Sequence, residues 1–290
     1  MTASKTITDV LPPTLLDFTN ECSGDGPAAW EARGQNFHVA WHRAGAAALA
    51  VETQSDDELM LIVLDAPVSI GAAGRAPVDA PARTIAILPA GRWQLTLAPR
   101  ATCAALRSLR GSNAADASRN AAAYATPDAR IAPVGTHYRA LRRADDVRLL
   151  PIDQVQASKD KPRLKMLQTA TMSINWVEYD GPRDRSALSP HSHANFEQGS
   201  LGLAGDFVHH LRTPWGPDAR QWQDDRHASL GSPSLMVVPV GLIHTTEGVN
   251  AGHHILIDIF SPPRADFIAS GWVFNAGDYE APAEGVAAAA

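Results

Sequence analysis

The sequence predicts an all-β chain made of two tandem sandwich or barrel units joined by a short, partly helical linker. Three observations carry this. Short β-rich segments recur along the chain, separated by Gly, Pro, Asp or Ser. They fall into two series. Between the series the composition shifts to Ala, Arg, Asn and Asp. Many short strands at regular spacing indicate a sandwich or barrel, and two series indicate two such units. One irregular sandwich is the alternative.

The first series comprises "FHVAWHRAGAAALAVETQ" from Phe37, "ELMLIVLDAPVSI" from Glu58, "RTIAILPAG" from Arg83 and "RWQLTLAP" from Arg92. It places an N-terminal unit at residues 13–110. Residues 111–147 read as a linker with one or two short helices, the helix formers lying in "HYRALRRADD" from His137. The second series comprises "KMLQTATMSINWVEYD" from Lys165, "EQGSLGLAGDFVHHLRTPW" from Glu197, "SLMVVPVG" from Ser234 and "HHILIDIF" from His253. It places a C-terminal unit at residues 148–275. Residues 276–290, with the low-complexity run "GDYEAPAEGVAAAA", are expected to fray.

The chain has 290 residues and a formal charge of −6, which argues against a nucleic-acid partner because that needs a basic face. Its apolar runs are broken by Asp, Pro or Gly before they reach membrane-spanning length. The start, "MTASKTITDVLPP", lacks the basic-then-apolar order of a secretory signal. Cys22 and Cys103 stand far apart in unlike contexts, so a disulfide framework is not expected and a reducing cytoplasm is.

Chemistry concentrates in "SPHSHANFEQGSLGLAGDF", from Ser189. On a strand, residues two apart share a face, so His191 and His193 project together. Glu197 and Gln198 follow. Far downstream, the Pro239–Gly241 turn leads into His244. Three imidazoles and an oxygen donor suit a divalent transition metal.

This pattern resembles the cupin superfamily. Gly181, His191, His193, Glu197 or Gln198, and Gly205 match the first cupin motif, and Gly231, Pro239, Gly241 and His244 match the second. Two departures exist: the spacer from Gly181 to His191 is long, and the closing asparagine arrives late, at Asn250. The resemblance spans roughly residues 149–262. It implies a double-stranded β-helix (jelly-roll) barrel with one mononuclear metal site held by His191, His193, His244 and a fourth ligand. Counting three residues on from His193 selects Glu197, whereas counting six back from Gly205 selects Gln198. Gln198 is preferred, because register after the ligand is more rigid than the loop before it. A Gln ligand leaves the site its full 2+ charge.

The first half resembles the same barrel without the metal. Pro89 and Gly91 match the second motif, but no His-x-His precedes Glu58, and Gln94 stands where a histidine would. The expectation is therefore a bicupin with a degenerate N-terminal barrel, in which His38 and His42 are structural. Trp176, His210, Arg212 and Trp215 are candidates for a substrate pocket. The ligand set and the resemblance imply an Fe(II) dioxygenase acting on a small organic metabolite. A redox-neutral isomerase, lyase or hydrolase using Zn, Ni or Mn is the second reading, and a non-catalytic small-ligand binder the third; Cu is a further candidate metal. A homodimer is also compatible with the resemblance.

Overall fold

In the computed structural model, which describes residues 10–110, 117–143 and 145–282, the two series of strands form two β units. Each has a six-stranded sheet and a smaller one. The N-terminal six-stranded sheet runs, in spatial order, Arg148–Pro151, Thr84–Leu88, Leu59–Val63, Thr102–Ser108, Phe37–Arg43 and Ala28–Arg33. Opposite it lie Leu49–Ser55, Gly91–Leu97, Val68–Gly71 and Val78–Ala80. The C-terminal six-stranded sheet runs Thr14–Asp17, Ser234–Val238, Gln198–Ala204, His253–Phe260, Ser173–Asp180 and Leu164–Gln168. Arg226–Leu230, Asp206–Arg212 and Ile243–Val249 complete that unit. The ladders joining these strands are antiparallel.

The two units exchange edge strands. Thr14–Asp17, at the start of the chain's first half, pairs with Ser234–Val238 of the second. Arg148–Pro151 pairs back onto Thr84–Leu88 of the first. Division at residues 13–110 and 148–275 therefore cuts across sheet membership at both places. Each exchanged strand covers an otherwise open sheet edge.

Strand alternation explains the core. Ile255, Ile257 and Ile259 share one buried cluster with Trp30, Phe37, Trp41, Met60, Ile62, Ile85 and Ile87. This layer lies between the two large sheets. The alternate residues face into the barrels. In the N-terminal barrel they are Leu59, Leu61, Ala86, Leu88, Trp93, Leu95 and Cys103, a hydrocarbon filling. In the C-terminal barrel only one end is apolar, with Leu211, Leu230, Met236, Val238 and Leu242. Both faces of the central strands are buried, which is why "LMLIV" and "SLMVV" read as continuous apolar runs rather than as alternation.

The linker differs from expectation. Ala121–Tyr124 forms one 3-10 turn, but the described part of "HYRALRRADD" contains no helix. Arg139–Ala140 is instead a short strand paired with Tyr279–Glu280. Tertiary partners take the backbone groups a helix would use: Tyr138 N donates to Ala170 O and Leu141 N to Asp278 O. The expected tail begins ordered for the same reason. Tyr279 is buried, and its hydroxyl donates to Glu58 Oε2 at 2.9 Å. Residues 283–290 of that tail, 111–116 of the linker and Ala144 lie outside the described residues. Among the described residues, no helix is long and apolar enough to cross a membrane.

Candidate metal centre

Backbone pairing brings the two motifs together. His191 N donates to His244 O at 3.1 Å, and His244 N returns the bond to His191 O at 2.8 Å. Gly241 N donates to His193 O at 2.8 Å. Gly241 has φ +84°, a left-handed conformation that glycine adopts without a Cβ clash. The His-x-His segment itself is not a regular strand. It is an extended loop with a single bridge at His191, and the preceding Pro190 has no N–H to add to a ladder.

The ligand-capable nitrogens of His191, His193 and His244 lie within 4.8 Å of one another. Tautomers follow from the carbonyls behind the rings. His191 Nδ1 donates to Ser189 O (2.9 Å), and His244 Nδ1 donates to Leu242 O (3.1 Å). Each ring is thereby held with Nε2 available as a lone-pair donor. Burial pushes His193 down to about 3 and His244 down to about 4, so both rings are neutral at ordinary pH.

Gln198 Oε1 sits 2.9 Å from His193 Nε2 and 3.3 Å from His244 Nε2. Its orientation is determined by the amide nitrogen, which donates to Asp258 Oδ1 (2.9 Å) and Ser200 Oγ (3.1 Å). A carboxylate only accepts, so the NH2 end must face Asp258 and the oxygen must face the imidazoles. Asn175 Nδ2 holds the other carboxylate oxygen at 3.2 Å. Burial raises the Asp258 carboxyl, and the bonds from Asn175 and Ser200 oppose that rise. The donor set fits a divalent metal: two ligands about 2.1 Å from one ion at right angles lie about 3.0 Å apart.

Glu197 is directed away from this cluster. Its Oε2 accepts from Gln35 N (2.6 Å) and its Oε1 from Tyr124 OH (3.2 Å). Burial pushes its carboxyl up to about 7. Gly199, one position past Gln198, faces the inter-barrel layer, where a Cβ would come 2.8 Å from Phe37.

None of the candidate pocket residues lines the cavity at the imidazoles, although Arg212 and Trp215 share a separate surface hollow with Gln223 and Asp225. Trp176 is fully buried in the inter-barrel layer, because its strand parity matches Ile174 rather than Asn175. His210 faces outward, bonding His227 Nδ1 at 2.7 Å and Glu247 Oε2 at 2.9 Å. The inward member of that pair is His209, which is 1% exposed and bonded to Thr246 Oγ1 at 2.9 Å. Burial, with His244 and His210 nearby, pushes His209 down to about 3. Arg212 pairs bidentately with Asp225 at the surface. Trp215 stacks on Trp222 at 4.4 Å and is 69% exposed.

The cavity of about 370 Å³ above the imidazoles is walled by other side chains, among them Arg163, Val177, Tyr179, Arg183, Phe260 and Phe267. Asp258, Ser200 and Asn175 had a legible signal: single polar residues at barrel-facing positions of otherwise apolar strands. Arg163 and Arg183 had none, since both lie outside the strands.

No protein-family model matches the sequence, and no curated protein matches it. Solved structures do resemble it. Oxalate decarboxylase from Lactobacillus farciminis, in a formate complex, is 12% identical, with TM-score 0.53 over 93% of this chain and 91% of that one. AerE from Microcystis aeruginosa is 11% identical, with TM-score 0.52 over 86% and 96%. Procruciferin, an 11S globulin from Brassica napus, is 11% identical, with TM-score 0.51 over 84% and 86%. At this identity the likeness concerns the fold alone. The chain has the bicupin fold, two tandem jelly-roll barrels, which metal enzymes and storage globulins share.

Proposed function

We propose that this chain is a mononuclear metal-dependent enzyme acting on a small organic metabolite, with dioxygenation at an Fe(II) centre as its reaction. One observation supports this above others. Three imidazoles and an oriented amide oxygen converge at the floor of a cavity in one barrel, while the corresponding interior of the other is filled with hydrocarbon. His191, His193, Gln198 and His244 would hold the ion. An iron ion so held, with positions left open, supplies a centre at which substrate and dioxygen can both be activated. The chain's own contribution is positional. Ser189 and Leu242 carbonyls orient His191 and His244, Asp258 and Ser200 orient Gln198, and Phe260 and Phe267 exclude water from one wall.

Elemental analysis should find about one divalent metal per chain, because among the described residues only one barrel carries a ligand set. Two tightly held ions would overturn the one-site reading. Oxygen uptake by iron(II)-loaded protein, dependent on an added small organic acid or enol and lost in His244→Ala, is the expected result. The amide ligand favours a second reading. A site with three imidazoles and no ligating carboxylate keeps its full 2+ charge, which suits redox-neutral polarisation of a carbonyl or bound water. Substrate conversion with Mn(II), Zn(II) or Ni(II) and no oxygen uptake would select it. Ligand binding without turnover under any metal would select a binding protein.

A further inference from the structure

The wall of the metal-site cavity carries two guanidinium groups with no carboxylate of their own. Arg183 is half-buried. Its Nη1 donates to Thr246 O at 2.7 Å and its Nη2 to Ser189 Oγ at 3.0 Å, while its Nε is buried without a partner. Ser189 is the residue whose carbonyl orients His191, so Arg183 is built into the support of the metal site. Arg163, on the loop before Leu164–Gln168, lines the same cavity. Among the described residues neither arginine makes an ion pair. Three of the other charges of the cavity are engaged by neighbours. Arg264 pairs with Asp266 and lies over the Phe267 ring at 3.8 Å. Lys161 lies over Trp272. Asp258 is engaged by Gln198, Ser200 and Asn175. Asp160 is an exposed carboxylate on the rim.

Two like charges converging on one cavity repel each other unless an anion joins them. Their proximity is felt in the protein: burial and then the charge of Arg163 both depress Arg183 from the usual guanidinium value. An arginine offers a planar fork that matches a carboxylate, and such charge-assisted bonds gain strength as water is excluded. Val177, Leu256 and Phe260 supply apolar wall between this rim and the imidazoles. The volume, about 370 Å³, suits a small metabolite.

We propose that Arg183 and Arg163 form a carboxylate-binding subsite, so that the ligand of this barrel is a small organic acid held by its carboxylate at the rim with its remaining polar end toward the imidazoles. The inference deepens the functional reading above and rests on the C-terminal barrel being the working site.

Succinate and its neutral isostere succinamide are the probes, titrated calorimetrically into metal-loaded protein and into chelator-stripped protein of verified metal content. Succinate should bind and succinamide should not. Arg163→Ala and Arg183→Ala should each weaken succinate about 10- to 100-fold, the loss of one charge-assisted pair, and Arg163→Ala should leave metal content unchanged. Arg183→Ala also removes bonds to Ser189 and Thr246 and can disturb the fold. The exposed Arg163 carries the test independently. Equal binding of succinate and succinamide, no binding of succinate to wild type, or wild-type affinity in Arg163→Ala would each overturn the subsite. A protein that takes up no metal but still binds succinate through Arg163 would defeat the metal-enzyme reading and leave the subsite standing.

Discussion

Gln198 and Glu197 are chemically similar neighbours placed in opposite environments by strand parity. Gln198 Oε1 faces two imidazoles, and Glu197 bonds Gln35 and Tyr124 on the far side. Gln198→Ala should therefore lower metal occupancy far more than Glu197→Ala, as read by elemental analysis after dialysis. The reverse ranking would place Glu197 at the metal. Asp258 acts one bond further out, by forcing the amide oxygen toward the rings. Replacing such an outer partner costs roughly 10–100-fold in metal affinity, so Asp258→Ala should show a loss of that order in chelator competition. Unchanged affinity would mean that Asp258 does not orient Gln198.

The same strand parity governs whole elements. Gly91–Leu97 sends Trp93, Leu95 and Leu97 into the N-terminal barrel, where Trp93 Nε1 also donates to Pro89 O at 2.9 Å. Trp93→Ala should cost roughly 3–5 kcal/mol, the usual penalty for truncating a buried aromatic. Metal content of the protein that stays folded should not change. Metal loss at an unchanged melting temperature would make the N-terminal barrel part of the site. Gln198–Ala204 works on both faces, with the proposed ligand Gln198 on one and inter-barrel packing on the other. A side chain at Gly199 meets the Phe37 ring and, at 3.3 Å, Ile259 Cβ. Gly199→Val should lose about 1–3 kcal/mol by overpacking. A melting temperature equal to wild type would show that the barrels can separate freely at this point.

At the scale of the molecule, the barrels are joined by exchanged strands, a shared apolar layer and a charged tie. Arg83 of the first barrel donates to Glu178 of the second at 2.7 Å and also pairs with Asp153. Burial raises the Glu178 carboxyl, but hydrogen bonds from Arg83, Trp176 and His253 outweigh it and hold the group below the usual carboxylate value. A carboxyl depressed in the folded state contributes stability above its unfolded value and loses it as pH falls through the folded one. Melting temperature should therefore drop on acidification below about pH 4.5, and Glu178→Gln should flatten part of that drop. His253, raised by Asp180 and Glu178, has the opposite sign: its contribution is full in acid and fades as pH climbs through its elevated value. An acid limb of equal steepness in wild type and Glu178→Gln would show that this tie does not couple the barrels.

Features that depend on neighbours a few residues apart were legible along the chain. Alternation and turn residues specified all-β structure in two units, and the spacing of two short motifs marked His191, His193, His244 and the Glu197–Gln198 pair. The remaining features depend on pairings across scores of residues. Trp176 and His210 each sat on a strand whose parity is set only by its partners, so both were turned away from the site while His209 was turned inward. Helix formers in "HYRALRRADD" yielded to backbone bonds that Tyr138 and Leu141 donate to the Ala170 and Asp278 carbonyls. The edge strands crossed between units because an unpaired ladder from either half is satisfied by whichever chain segment arrives beside it. Arg163 and Arg183, remote from both motifs in pattern, face one cavity only because the loops that carry them fold over the same barrel mouth.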